Sequence, residues 1–132
     1  MKQYLLDTNI VIFLFKNQFE IDKKIDEIGF SNCLISEITV LELKYGALKS
    51  NRPEFHLQKL NRFLRQIEVL PVFSAIDLYA SERVRLEKLG NRIDDFDLLI
   101  GTTAVSNDLI AVTNNVSHLG RIEGIQIEDW TK

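Results

Sequence analysis

Tyr4-Leu5-Leu6-Asp7-Thr8-Asn9 decides how this chain is read. An apolar run of strand character stops at an acid. Two small polar residues follow, and then Ile10, Val11, Phe13 and Leu14 repeat at helical spacing. A first strand delivers a carboxylate to the edge of a parallel sheet in this way. Open α/β sheets bind ligands outside the carboxyl ends of their strands, where strand order reverses. An acid there is costly to bury without a positive partner. Asp7 therefore has two readings: a helix cap accepting from the Thr8 or Asn9 amide, or a metal ligand or nucleophile at a strand end.

Working outward, short apolar runs at 3–6, 33–35, 68–70, 109–112 and 124–127 read as strands. Helical patterns lie between them at 9–15, 20–28, 38–49, 53–66, 74–89 and 95–107. Alternating strands and helices predict a parallel sheet with helices on both faces. Several boundaries carry their own chemistry. Ser36 suits an N-cap, Pro53 a first helical turn, Gly90 a helix C-cap, and Asn114-Asn115 a tight turn. Asp94 suits a cap, with Asp97 three residues on in the place of a capping-box acid.

The 132 residues suffice for one domain, 1–132, with one core. Apolar content of 45% and charged content of 27% argue against disorder. A lone cysteine, Cys33, makes no internal disulfide, which fits a reducing compartment. No signal-peptide pattern and no membrane-length apolar stretch stand out, so the expected location is cytoplasmic. Lys and Arg number 16 against 19 Asp and Glu, a net charge of −3. That is no electrostatic footprint for nucleic acid. A nuclease stays open, because clustered site carboxylates would account for the deficit.

Glu42 borders an apolar stripe of Ile38, Leu41, Tyr45 and Leu48 at helical period. An interior carboxylate there needs a partner; otherwise Glu42 is a snorkelling surface residue. Glu37 and Lys44 read as solvated. Asp94-Asp95-Phe96-Asp97 opens a helix whose Ile100, Gly101 and Ala104 form a small-residue face suited to packing on the sheet. The helix dipole alone accounts for Asp94 and Asp95. The packing face would hold Asp97 near the sheet edge. Thr113, Asn114 and Asn115 follow the penultimate strand and add a hydroxyl and two amides at the same edge. An all-oxygen set suits magnesium or manganese. His56 and His118 read as surface residues. Zinc spacing, a Walker loop, a dinucleotide turn and a serine elbow are absent.

These segments together resemble the PIN-domain family, and closely its VapC-type toxin ribonucleases. The resemblance rests on Leu6-Asp7-Thr8-Asn9, Ser36-Glu37-Ile38-Thr39, Leu41-Glu42-Leu43, Tyr45-Gly46-Ala47 and Gly90-Asn91-Arg92-Ile93. It continues through Phe96-Asp97, Leu99-Ile100, Val112-Thr113-Asn114-Asn115, Gly124 and Glu128-Asp129-Trp130. It implies a three-layer α/β/α sandwich with a central five-stranded parallel sheet. It implies Asp7, Glu42 and Asp97 as catalytic acids holding Mg2+ or Mn2+, directly or through water. It also implies RNA cleavage, a cognate antitoxin and a homodimer. Many relatives carry a further acid near Asn115; the amide here implies one well-bound ion.

The expected reaction is hydrolysis of an RNA phosphodiester, leaving a 5′-phosphate and a 3′-hydroxyl. Thr8, Asn9, Thr113 and Asn115 would orient the carboxylates or water. Lys44, Lys49, Arg52 and Arg92 are candidate phosphate contacts, each equally well a solvated helix position. The missing fourth acid motivates an alternative, a catalytically degenerate PIN-like module that binds RNA or protein. An aspartyl-phosphate enzyme using Asp7 would want an acid at position 9, where Asn9 stands. The helical patterns at 20–28 and 53–66 carry Ile21, Ile25, Ile28, Leu57, Leu60 and Phe63. These form either a groove for a partner helix or part of the core.

Overall fold

The computed structural model describes residues 2–132. Its strands are β1 (Tyr4–Leu6), β2 (Cys33–Ser36), β3 (Glu68–Leu70), β4 (Ile110–Val112) and β5 (Gln126–Glu128). The helices among the described residues are α1 (Thr8–Phe15), α2 (Ile21–Ile28), α3 (Glu37–Lys49), α4 (Pro53–Leu64), α5 (Ile76–Lys88), α6 (Asp95–Ser106) and α7 (Val116–Leu119). Every strand pair is parallel, in the order β3-β2-β1-β4-β5. The chain winds outward from β1 through β2 to β3, then returns to β4 and β5 on the other side. Strand order thus reverses beside β1, and a crevice is expected at the carboxyl ends of β1 and β4. Leu6 pairs with Val112, and the Asp7 amide donates to the Val112 carbonyl at 2.9 Å. The residues that leave the sheet next, Asp7 and Thr113, are therefore neighbours.

Period-two alternation divides the core. Tyr4, Leu6, Cys33, Ile35, Ile110 and Val112 join Ile10 and Val11 of α1, Ile21 and Ile25 of α2, Leu43 of α3, and Leu60 and Phe63 of α4. Leu5, Leu34 and Ala111 join Ile100 and Ala104 of α6 and Leu119 of α7. Each large apolar side chain so buried contributes about 1.5–3 kcal/mol. The sheet is covered on both faces, and the three-layer α/β/α sandwich expected from the sequence is the one observed. A smaller cluster of Leu86, Ile93, Leu98 and Ile122 ties α5 to the start of α6.

The boundary chemistry largely follows the sequence. Ser36 Oγ accepts from the Ile38 amide at 3.0 Å, and Pro53 opens α4. Gly90 has φ +65°, a conformation that suits glycine. Its amide donates to the Glu87 carbonyl at 3.0 Å, and the Asn91 amide donates to that of Leu86 at 2.9 Å. Those two bonds close α5 in a Schellman motif. Asp94 Oδ2 accepts from the Phe96 and Asp97 amides at 3.1 and 3.4 Å. Asn114-Asn115 differs from the expected tight turn. Asn115 instead precedes α7, which is too short to leave a periodic pattern.

The stripe on α3 requires correction. Leu41, Tyr45 and Leu48 are 49%, 63% and 63% exposed. The buried positions are Ile38, Thr39, Leu43 and Ala47. The inner face is marked by Ile38, Leu43 and Ala47 with the Thr39 hydroxyl among them, so a different apolar set from the expected stripe turns inward. Of the six residues read at 20–28 and 53–66 as partner groove or core, four are buried in the core: Ile21, Ile25, Leu60 and Phe63. No helix among the described residues is long and apolar enough to cross a membrane.

Gly101 does not face the sheet as its neighbours Ile100 and Ala104 do. A Cβ built there would overlap Ile122 Cδ1 and touch Ile125 Cδ1 at 3.4 Å. Helix propensity alone would make Gly101→Ala favourable by about 1 kcal/mol. Overpacking of a buried site costs about 1–3 kcal/mol. The expected net effect is destabilisation of about 1 kcal/mol in urea melts, reversed by adding Ile122→Val, which removes the obstructing carbon. An unchanged midpoint in Gly101→Ala would refute this packing.

Candidate active site

The site grows from the end of β1. Asp7 caps α1 through Oδ1, which accepts from the Thr8 amide at 2.8 Å. Its other oxygen, Oδ2, accepts from Thr113 Oγ1 at 2.8 Å. The two sequence readings of Asp7 are thus compatible: the cap orients a carboxylate that is only 4% exposed. Thr113 Oγ1 in turn accepts from the Asn115 amide at 2.9 Å. Asn115 Nδ2 donates to Asp97 Oδ2 at 3.5 Å. Thr113 and Asn115 therefore link the carboxylate of β1 to the carboxylate of α6.

A second relay reaches Glu42. Thr8 Oγ1 donates to Glu42 Oε1 at 2.7 Å. The Thr8 and Thr39 hydroxyls stand 3.0 Å apart. A hydroxyl has one hydrogen, and that of Thr8 is given to Glu42, so Thr39 must donate to Thr8. Glu42 thereby has the interior partner that its position requires. Thr39, part of the Ser36-Glu37-Ile38-Thr39 motif, carried no expected role at the site. Its one signal is a hydroxyl residue three places before Glu42, one helical turn away.

Asp7, Thr8, Asn9, Ile12, Leu41, Glu42, Tyr45, Phe96 and Asp97 line one cavity of about 510 Å³. Acids 35 and 90 residues from Asp7 in the chain, Glu42 and Asp97, are thus brought to one place. Burial pushes the Asp7 carboxyl up from its ordinary value, against the lowering effect of the Thr113 and Thr8 hydrogen bonds. Asp97 is pushed up to about 6, first by burial and then by Asp7, Asp94 and Glu42. A cation bound beside these carboxylates would favour their ionised form and oppose both shifts.

The donors are all oxygen, as a hard divalent ion requires. Among the described residues, no three Asp, Glu, His or Cys side chains stand close enough to form a direct ligand cage. The cavity can hold an ion together with water, whose share of liquid volume is about 30 Å³ per molecule. Magnesium keeps several waters in protein sites, so ligation partly through water fits this spacing.

The basic residues divide. Arg92 pairs with Asp95 at 3.4 Å and Glu87 at 3.9 Å, which commits it to the surface of α5 and α6. Its side chain is still 52% exposed. Lys44, Lys49 and Arg52 are exposed and lie outside the cavity lining. Lys49 Nζ sits 5.6 Å from the Tyr45 ring centre and Arg52 Cζ sits 4.1 Å from that of Phe55. Asn9 reaches across to Asn114 Oδ1 at 3.4 Å. Asp95 accepts from Tyr79 Oη at 3.0 Å, which makes it a tie between helices.

A doubly wound parallel sheet with acids gathered at its switch point defines a class. The chain belongs to the PIN-domain family, whose model matches residues 4–123. It is 37% identical over 131 residues to the tRNA(fMet)-specific endonuclease VapC of Salmonella typhimurium, covering 98% of this chain and 99% of that one. Ribonuclease VapC2 of Rickettsia felis is 33% identical over 132 residues, with 98% of each chain covered. Among solved structures, a chain of the DNA-bound VapBC from Salmonella typhimurium superimposes with a TM-score of 0.91. It shares 38% identity, over 98% of this chain and 99% of that chain.

Proposed function

We propose that this chain is a metal-dependent endoribonuclease and the toxin of a type II toxin–antitoxin pair. The observation that carries the reading is the convergence of Asp7, Glu42 and Asp97 on one cavity at the switch point of the sheet. The relatives' names supply the reaction class: one is an endonuclease acting on a tRNA, another a ribonuclease. The site of action in this reading is the cytoplasm.

In this mechanism Asp7, Glu42 and Asp97 would hold Mg2+ or Mn2+, in part through water. Such an ion lowers the pKa of water and neutralises charge developing on the phosphate. Thr113 and the Thr8 amide fix the two oxygens of Asp7. The Thr39–Thr8 pair fixes Glu42, and Asn115 steadies Asp97. These are the orienting contacts on which ligand geometry depends. The attacking water replaces the 3′ oxygen on phosphorus, and the products carry a 5′-phosphate and a 3′-hydroxyl. No histidine base is called on: His56 and His118 are exposed and absent from the cavity lining.

A cognate antitoxin is the proposed inhibitor, in keeping with the VapBC assembly to which the similar solved chain belongs. A second cavity of about 370 Å³ lies between α1, α3 and α4, with Phe15, Leu43, Ala47 and Leu60 among its lining and Glu42 at its border. It offers a partner segment an apolar seat beside the acids. The proposed assembly is a homodimer, for which exposed Phe73 (81%) and Ile76 (47%) provide an apolar patch at the start of α5.

Induced expression in a bacterium tests the reading. Wild type should arrest growth, co-expression of the adjacent gene should restore it, and Asp97→Asn should be harmless. Equal toxicity of wild type and Asp97→Asn would overturn the assignment. RNA binding that neither cleaves nor responds to EDTA would favour the degenerate module, which Asn115 in place of an acid motivates.

A further inference from the structure

Two aromatic rings at the mouth of the acidic cavity take no part in the chemistry described above. Tyr45 is 63% exposed and Phe96 is 39% exposed, and neither belongs to a core cluster among the described residues. Both line the cavity with Asp7, Glu42 and Asp97. Tyr45 follows Glu42 by three residues on α3 and so shares its helix face. Phe96 immediately precedes Asp97 at the start of α6. Each ring is thus carried on the same element as one of the acids.

We propose that Tyr45 and Phe96 stack the bases on either side of the scissile phosphate, as substrate-binding residues of RNA cleavage. This rests on the ribonuclease reading above. The charge distribution favours it. A chain of net charge −3 with acids lining the cavity repels a phosphate backbone. Contacts that do not depend on phosphate then carry a larger share of the affinity. Unpaired RNA bases stack on aromatic side chains, and every base has a face to offer. Lys49 Nζ stands 5.6 Å from the Tyr45 ring centre. It sets a cation over one face of the ring, so the base stacks on the other face. Leu41, 49% exposed and lining the same cavity, widens the apolar surface next to Tyr45.

The test uses a single-stranded RNA with one mapped cut, carrying 2-aminopurine on one or the other side of that phosphate. Bound to Asp7→Asn protein, the fluorophore should be quenched, and adding Tyr45→Ala or Phe96→Ala should abolish quenching on one side. In the active protein, Tyr45→Ala should raise KM roughly tenfold, within the range of stacking effects, with little change in kcat. Tyr45→Trp should restore KM. An abasic nucleotide at the stacked position should reproduce the loss in wild type and add nothing in Tyr45→Ala. Unchanged KM and quenching in both alanine variants would overturn the platform. So would loss of self-association in sedimentation together with additive effects of ring and base, which would assign Tyr45 to a second copy of the chain. If wild type cuts no RNA, the ribonuclease reading falls, while 2-aminopurine placed at successive positions of the uncut strand still decides whether the rings stack bases.

Discussion

Asp7→Asn is expected to slow RNA cleavage by about a thousandfold or more without unfolding the protein. A cation held at this position contributes several kcal/mol of charge stabilisation in the transition state, and each 1.36 kcal/mol is a factor of ten in rate. The fold should tolerate the change because Asn caps helices as well as Asp does. Its Oδ1 can still accept from the Thr8 amide, which Asp7 Oδ1 does at 2.8 Å. Removing a buried carboxylate whose pKa burial has raised also relieves a desolvation cost. Initial rates and thermal melts read the two expectations separately. A variant that melts normally and still cleaves at a tenth of the wild-type rate would show that Asp7 does not serve the chemistry.

The second large effect is on stability. In the folded, metal-free protein the Asp97 carboxyl titrates at about 6, against an ordinary 3.8. The folded state therefore binds this proton more tightly than the unfolded state. The resulting stabilisation is full below about pH 4 and is lost as pH rises to about 6. Asp97→Asn should remove that dependence and raise the midpoint of the metal-free protein at pH 7.5 by a few degrees, about 1 kcal/mol after allowance for solvent screening. Manganese acts in the opposite sense, because it binds the ionised form. At a hundred times its dissociation constant it would stabilise the fold by about 2.7 kcal/mol, or about 8 °C. The shift should appear at pH 7.5, shrink strongly at pH 5, and vanish in Asp97→Asn. An equal shift at both pH values, or one retained in the variant, would place the ion elsewhere.

What the sequence made legible was local. The switch from apolar strand to acid to helix placed Asp7, and Ser36, Gly90 and Asp94 marked ends with side chains or φ values that act within a few residues. The contacts that finish the site are not local. Thr113 meets Asp7 across 106 residues and Thr8 meets Glu42 across 34; both depend on strand register. Thr39 carried no expected role because a buried hydroxyl within a helix breaks the apolar pattern. The same pattern misplaced the inner face of α3, where apolar Leu41 and Tyr45 turn outward to the cavity. The acidic partners of Arg92, Glu87 and Asp95, lie on α5 and α6, whose packing the sequence alone does not disclose. The three acids share a cavity but, among the described residues, do not stand close enough for a direct cage, a spacing that residue types cannot convey.

Anomalous scattering from crystals soaked in manganese tests the central claim most directly. The account predicts one strong peak inside the cavity lined by Asp7, Glu42 and Asp97, lost in Asp7→Asn. A peak remote from those carboxylates, or none at millimolar manganese in crystals of cleavage-competent protein, would contradict it.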